Sequence, residues 1–151
     1  MTSPILLCTD GSQAALDAIH AGVAVVGTDR TFQVVRAVEA IDTTLATGTG
    51  IAGGVMSPEE FDRMERAQVA EAQSDVEAVV KALGLPDVST EVLRGDAAMA
   101  ICRHAEETDA VAIVIGSRGH GGIRRALLGS VSDHVVRHAP CPVITSTPHD
   151  D

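Results

Sequence analysis

The segment GSRGHGGIRRALLGS, Gly116 to Ser130, holds the densest set of residues able to do chemistry. It carries Arg118, Arg124, Arg125 and His120 with no acidic residue, in a chain whose formal net charge is −10. A local cationic excess of this kind favours an anion. Gly116 and Gly119 let backbone approach a ligand closely, and Gly129 does the same where a helix begins. Ser130 and Ser132 offer hydroxyls to phosphate oxygens, while a helix N-terminus adds unpaired N–H groups and the positive end of its dipole. His120 would make such a contact pH-dependent near its ordinary pKa of about 6.5. A solvated surface loop would also carry arginines; the coincidence of glycines, charge and a helix start favours the anion site.

Other candidates carry less. GTGIAG, Gly48 to Gly53, has the G-x-G-x-x-G spacing of a dinucleotide turn, which requires a strand before it and a helix opening on it. It follows IDTTLAT instead, ends short of the helix start at Ser57, and reads as a flexible loop. His134 and His138 stand four apart, a metal-ligand spacing, but no H-E-x-x-H motif, carboxylate partner or cysteine pair accompanies them, and helix termination is the reading. Asp10, before Gly11-Ser12, suits either a hydrogen bond to a ligand or a helix N-cap, and a shared role is expected. The chain lacks a G-x-S-x-G elbow and the P-loop G-x-x-x-x-G-K-S/T, so no catalytic or metal-ligating residue is assigned. Arg118, Arg124 or Arg125 would replace the P-loop lysine electrostatically, and hydrolysis of a bound nucleotide should be slow or absent.

Strands alternating with helices must position these residues. ILLC, Ile5 to Cys8, is a short apolar run stopped by Thr9-Asp10-Gly11-Ser12, after which Leu16, Ile19, Val23 and Val26 recur at helical spacing. FQVVRAV, Phe32 to Val38, predicts a second strand. Ser57, Pro58 and Glu60 form a capping box with proline at the first helical position, opening a helix whose apolar face is Phe61, Met64, Val69, Ala72, Val76, Val79 and Leu83. Asp87 to Arg94 alternates like a strand near a sheet edge. Gly95-Asp96 opens a helix carrying Met99, Ile101, Cys102 and Ala105, and AVAIVIG, Ala110 to Gly116, has the unbroken apolar character of a central parallel strand. A last helix starts near Ser130, Pro140-Cys141-Pro142 ends it, and Val143 to Ser146 is a fifth strand. The pattern is that of an α/β domain with a parallel sheet covered by helices on both faces. In such sheets ligands bind beyond the carboxyl ends of the strands where the winding direction reverses, and the loops after strands one and four would meet there.

Composition bounds the partners. The 151 residues suit one domain, taken as residues 1–151 with an ordered core over about 3–146, and 45% hydrophobic with 21% charged residues is globular usage. The acidic balance argues against nucleic acid, whose backbone needs a basic face. No membrane association is expected, because no run of eighteen apolar residues occurs and MTSPILLCTDGS lacks the features of a signal peptide. A cytoplasmic location is the expectation. Cys8, Cys102 and Cys141 are odd in number and widely spaced, and read as reduced, mostly buried thiols. With no Trp or Tyr and only Phe32 and Phe61, the chain lacks a stacking platform, which disfavours a flavodoxin-like carrier; a bound heterocycle must lie against aliphatic groups and backbone.

Gly116-x2-Gly119-x9-Gly129-Ser130 reproduces the nucleotide pattern G-x2-G-x9-G-S/T, and with TDGS at Thr9 to Ser12, GDAAMAI after the third strand and the closing SVSDHVVRHAPCPV, the chain resembles the ATP-binding branch of the universal stress protein family over nearly its whole length. The resemblance implies a doubly wound, five-stranded parallel sheet of order 3-2-1-4-5 in the adenine nucleotide alpha hydrolase-like class. It implies ATP as the ligand, with magnesium. Asp10, with Cys8 and Thr9 beside it, would lie at the adenosine end, and Val38 would pack on adenine. Ile115, Gly116 and Gly119 would come from the end of strand four, with Arg118 and His120 of the same loop added by their charge, and Gly129, Ser130, Val131 and Ser132 would bind the phosphates. It further implies a homodimer along the last strand, here Val143 to Thr147, whose VITST is more polar than the valine-rich ending usual in the family. The function implied is a nucleotide-dependent regulatory module of the stress response; a slow ATP hydrolase or a cyclic-AMP-binding module using the same pocket are the alternatives.

Overall fold

The computed structural model describes residues 2–41, 57–117 and 128–147. The elements run β1 (Ile5–Cys8), α1 (Gln13–Val26), β2 (Phe32–Val38), α2 (Pro58–Leu83), β3 (Val88–Arg94), α3 (Ala97–Glu107), β4 (Ala112–Gly116), α4 (Ser130–His138) and β5 (Val143–Ser146). The strands form one parallel sheet of order β3-β2-β1-β4-β5, as the resemblance implies. GTGIAG and most of the Gly116 to Ser130 segment lie outside the described residues.

Strand alternation divides the core into two layers. Ile5 and Leu7 of β1 with Ala112 and Val114 of β4 face one side, where Ile19 and Val23 of α1 and Val76 and Val79 of α2 cover them. Leu6, Cys8, Ile113 and Ile115 face the other, under Ile101 and Ala105 of α3 and Val135 of α4. Both strands are therefore apolar at every position, which is why their sequences are unbroken runs.

Caps set the helix ends. Ser57 accepts from the Glu60 N–H while the Glu60 carboxylate accepts from the Ser57 N–H, and Pro58 follows, completing the capping box. Ser12 caps α1 by accepting from the Ala15 N–H, and Asp96 caps α3 by accepting from the Met99 N–H. Gly84, at φ 59°, closes α2 in the left-handed conformation.

The structure corrects one side-chain placement and two strand starts. Met64 is exposed, because α2 has 26 residues, about 39 Å at 1.5 Å each, and its first turns overrun the shorter strands beneath it. Met99 is exposed as well: the inward stripe of α3 is Ala98, Ile101 and Ala105, which rotates Met99 outward. β3 begins at Val88 because Asp87 adopts φ 57°, and β4 begins at Ala112 because the Ala110 N–H still closes α3 on the Ala105 carbonyl.

Cys8, Cys102 and Cys141 all pack into the layer beneath α3 and α4, and all three are free thiols. Burial pushes each thiol pKa up, and for Cys8, the most enclosed, the neighbouring Cys102 and Cys141 add to the effect.

Two predictions follow from this packing. A Cβ on Gly22, in the middle of α1, would come within 2.8 Å of one Val114 methyl and closer to the other. Gly22→Ala should therefore lower stability by about 1–3 kcal/mol through overpacking, against about 1 kcal/mol of helix propensity gained, as read by urea unfolding. The second concerns pH. The unfolded chain ionises Cys8 near the ordinary value of 9.0 whereas the folded chain holds it protonated, so the folded state loses stability as pH rises above that value. The chain has no Tyr and a single lysine, Lys81, so few other groups titrate there. The urea midpoint should fall between about pH 8.5 and about pH 10.5, and fall less steeply in Cys8→Ala; equal slopes would acquit the thiol.

Candidate functional site

The winding direction of the sheet reverses between β1 and β4. Leu7 pairs with Val114, so the chain leaves β1 after Cys8 and β4 after Gly116 as neighbours, and the two following segments emerge side by side. This brings the Thr9 to Ser12 turn beside Ile115, Gly116 and Ser117, at the crevice where open α/β sheets take ligands.

The turn after β1 is held by its own side chains. The Thr9 N–H donates to the Val35 carbonyl at 3.0 Å, and Thr9 Oγ1 accepts from the Gly11 N–H at 3.1 Å. Asp10 Oδ1 accepts from the Ser12 N–H at 2.9 Å and from the Ser12 hydroxyl. The N-cap of α1 is therefore Ser12, and Asp10 acts one step back by orienting the capping residue. Cys8 turns its thiol into the apolar layer, leaving its backbone at the site. Val38, half-buried at the end of β2, is tied to the next loop by its carbonyl, which accepts from the Gly95 N–H at 3.0 Å.

Ser117 gathers the other half. Its carbonyl accepts from the Gly129 N–H at 2.6 Å and from the Ser132 hydroxyl at 3.0 Å, and its own N–H reaches the Ser146 carbonyl at the end of β5 at 3.4 Å. The first turn of α4 is thus pinned to the end of β4 across the eleven residues between Ser117 and Gly129. Ser132 is 3% exposed and its hydroxyl proton goes to Ser117, with the Gly129 carbonyl as a second acceptor at 3.2 Å. Its placement is that of a clasp on the loop, with oxygen lone pairs rather than a free proton left over. Ser130 is exposed and Val131 half-buried on the same turn.

α4 differs from the other three helices described at its start: Gly129 is its N-cap and supplies no side-chain hydrogen bond. The free N–H groups of a first turn suit an anion. Arg118, Gly119 and His120 lie outside the described residues. Among those described, no group of three metal-ligating side chains is brought together, and the His134 and His138 rings rest against each other at 4.4 Å.

Sequence reasoning passed over Ser117, Arg36 and Asp75. Ser117 is an unconstrained position within the glycine spacing and gives no signal. Arg36 and Asp75 do give one, since each puts a charge on an otherwise apolar face, and they meet beside Gly11 at 3.0 Å from each other.

The sequence matches the universal stress protein family over residues 1–146. It is 31% identical to universal stress protein MJ0531 of Methanocaldococcus jannaschii over 93% of this chain and 79% of that one, and 30% identical to universal stress protein YxiE of Bacillus subtilis over 95% and 98%. Its fold is similar to that of the protein MJ0577, with a TM-score of 0.79 at 21% identity over 100% and 99% of the two chains. Solved structures of the same fold include a universal stress protein in complex with cAMP, with a TM-score of 0.59 at 23% identity over 99% of each chain. They also include a universal stress protein of Archaeoglobus fulgidus in complex with dAMP and one of Arabidopsis thaliana with AMP bound, with TM-scores of 0.58 and 0.60 at 23% and 18% identity. The first covers 95% of this chain and 96% of its own, the second 99% and 94%. By its family match and by its full-length relatives, this chain belongs to the universal stress protein family.

Proposed function

We propose that this chain is an adenine-nucleotide-binding regulatory module that takes ATP, with magnesium, at the ends of β1 and β4, and that works as a homodimer. The observation that carries the reading is the placement of the glycine signature. Gly116 stands at the end of β4 and Gly129 at the start of α4, which has no side-chain cap, and the Gly129 N–H bonds to the Ser117 carbonyl, so the two described ends of the spacing G-x2-G-x9-G-S meet beside the first-turn N–H groups of α4. AMP, dAMP and cAMP in structures of the same fold support the adenine part of the reading. The loop's arginines support the phosphate part. Asp10 is a carboxylate at this end, suited to the ribose or to the magnesium ion. For the dimer, the support is that β5 is one of the two edge strands, paired with β4 on one side alone, and that Val143, Ile144 and Ser146 are only half-buried.

Calorimetric titration with ATP, AMP and cyclic AMP, with and without magnesium, tests the reading. Gly129→Lys should weaken ATP binding by at least about a hundredfold, because the new side chain occupies space needed by a phosphate, while the far-ultraviolet dichroism stays unchanged. Unchanged ATP affinity in that variant would overturn the site, and cyclic AMP binding tighter than ATP would replace the ligand.

A further inference from the structure

α2 carries a carboxylate where its pattern asks for an apolar residue. Ala72, Val76 and Val79 are the buried positions of that helix, and Asp75 lies three residues after Ala72 on the same side. β2 carries the matching anomaly, for Arg36 interrupts a strand that has neighbours along both edges. The two side chains meet: Arg36 Nε donates to Asp75 Oδ2 at 3.0 Å and Arg36 Nη1 donates to the Ala37 carbonyl at 2.9 Å. Both are mostly covered, at 24% and 23% exposure.

The carboxylate has a further neighbour. At Gly11, whose φ is +85°, an added Cβ would lie 2.7 Å from Asp75 Oδ2 and 3.0 Å from Oδ1. Asp75 therefore fills the notch that the absent side chain leaves, in the turn where the Gly11 and Ser12 amides are bonded to Thr9 and Asp10. Partial burial of two charges gives little net stability over an apolar pair of the same volume. What an arginine pair does supply is direction: the planar guanidinium, oriented by the Ala37 carbonyl, fixes the carboxylate, and the carboxylate walls the turn.

We infer that Arg36 and Asp75 are positioning residues for the Asp10–Ser12 turn, holding it at the distance from the sheet that the adenosine end of the ligand requires. The geometry stands by itself; its consequence for affinity rests on the nucleotide reading above. Neither residue is assigned a contact with the ligand.

The test is amide hydrogen exchange on the ligand-free full chain, followed by titration with adenosine, AMP and ATP. In Arg36→Met, and in Asp75→Ala, which also favours the helix, exchange at Gly11 and Ser12 should quicken about fivefold or more, and Arg36→Lys, which keeps the charge but not the planar fork, should recover only a minor part of the protection. Affinity for all three ligands should fall by a similar factor, about tenfold, because the damage lies at the end they share. Unchanged exchange at Gly11 and Ser12 in both variants overturns the inference whether or not nucleotide binds, and so does a loss of affinity confined to ATP. Quickened exchange in the variants, together with a wild-type protein that binds none of the three, upholds the positioning role and removes the nucleotide reading instead.

Discussion

β1 and β4 pair through residues that touch no water, Leu6 and Leu7 against Ile113 and Val114. Because both faces of both strands are covered, neither strand can slip by one residue without turning its neighbours' packing inside out. The register therefore fixes, to within one residue, where the chain leaves β1 and where it leaves β4. Everything at the candidate site inherits its position from that pairing. The Thr9 to Ser12 turn and the Gly116-Ser117 exit are adjacent because Leu7 faces Val114.

A rigid pair of strand ends does not by itself make the proposed phosphate site; the first turn of α4 has to be brought back to them. Ser117 does this with one carbonyl, which receives both the Gly129 N–H and the Ser132 hydroxyl. The arrangement uses the backbone of a buried serine as the anchor and a buried hydroxyl as the clasp, so the exposed face of α4's first turn keeps its N–H groups available. A side-chain cap of the kind that closes α1, α2 and α3 would occupy those same groups. Glycine at the N-cap of α4 is consistent with leaving them to an external acceptor.

Much of this was legible in the sequence because the local signals were strong and pointed one way. The apolar runs of β1 and β4, the capping box at Ser57 and the stop at Gly84 each depend on a few neighbouring residues, and the structure keeps them. The glycine spacing located the ends of the loop. The failures are tertiary in origin. Met64 fits the helical period, but whether a periodic residue is buried depends on how far the sheet beneath it extends. Ser132 is not among the failures: it has the chemistry of a phosphate donor, and the fold adds a hydrogen bond from its hydroxyl to the Ser117 carbonyl. Asp10 looks like a cap from its position before Gly-Ser; the turn makes it the support of the cap. Arg36 and Asp75 each break a pattern visible in the sequence, but 39 residues separate them, and their meeting required the fold.

Among the described residues, fully buried polar side chains occur in this core at one end alone. Among the described residues the buried polar side chains are Thr9, Ser117 and Ser132, and all three sit at the carboxyl ends of β1 and β4 or at the start of α4. Two of them have partners in the turn and the clasp, while Ser117 Oγ has none among the described residues, and a buried hydroxyl left so costs about 1–3 kcal/mol. An apolar residue of similar size would avoid that cost, and the remainder of the sheet shows that the fold uses apolar residues wherever it can. The half-buried Arg36 and Asp75 pair, against Gly11, extends the same departure to the neighbouring strand. Local conflicts with good packing are tolerated where a site needs them and are removed elsewhere. Their concentration at the end of the sheet where the winding reverses is a physical argument for the location of the site that is independent of the glycine signature.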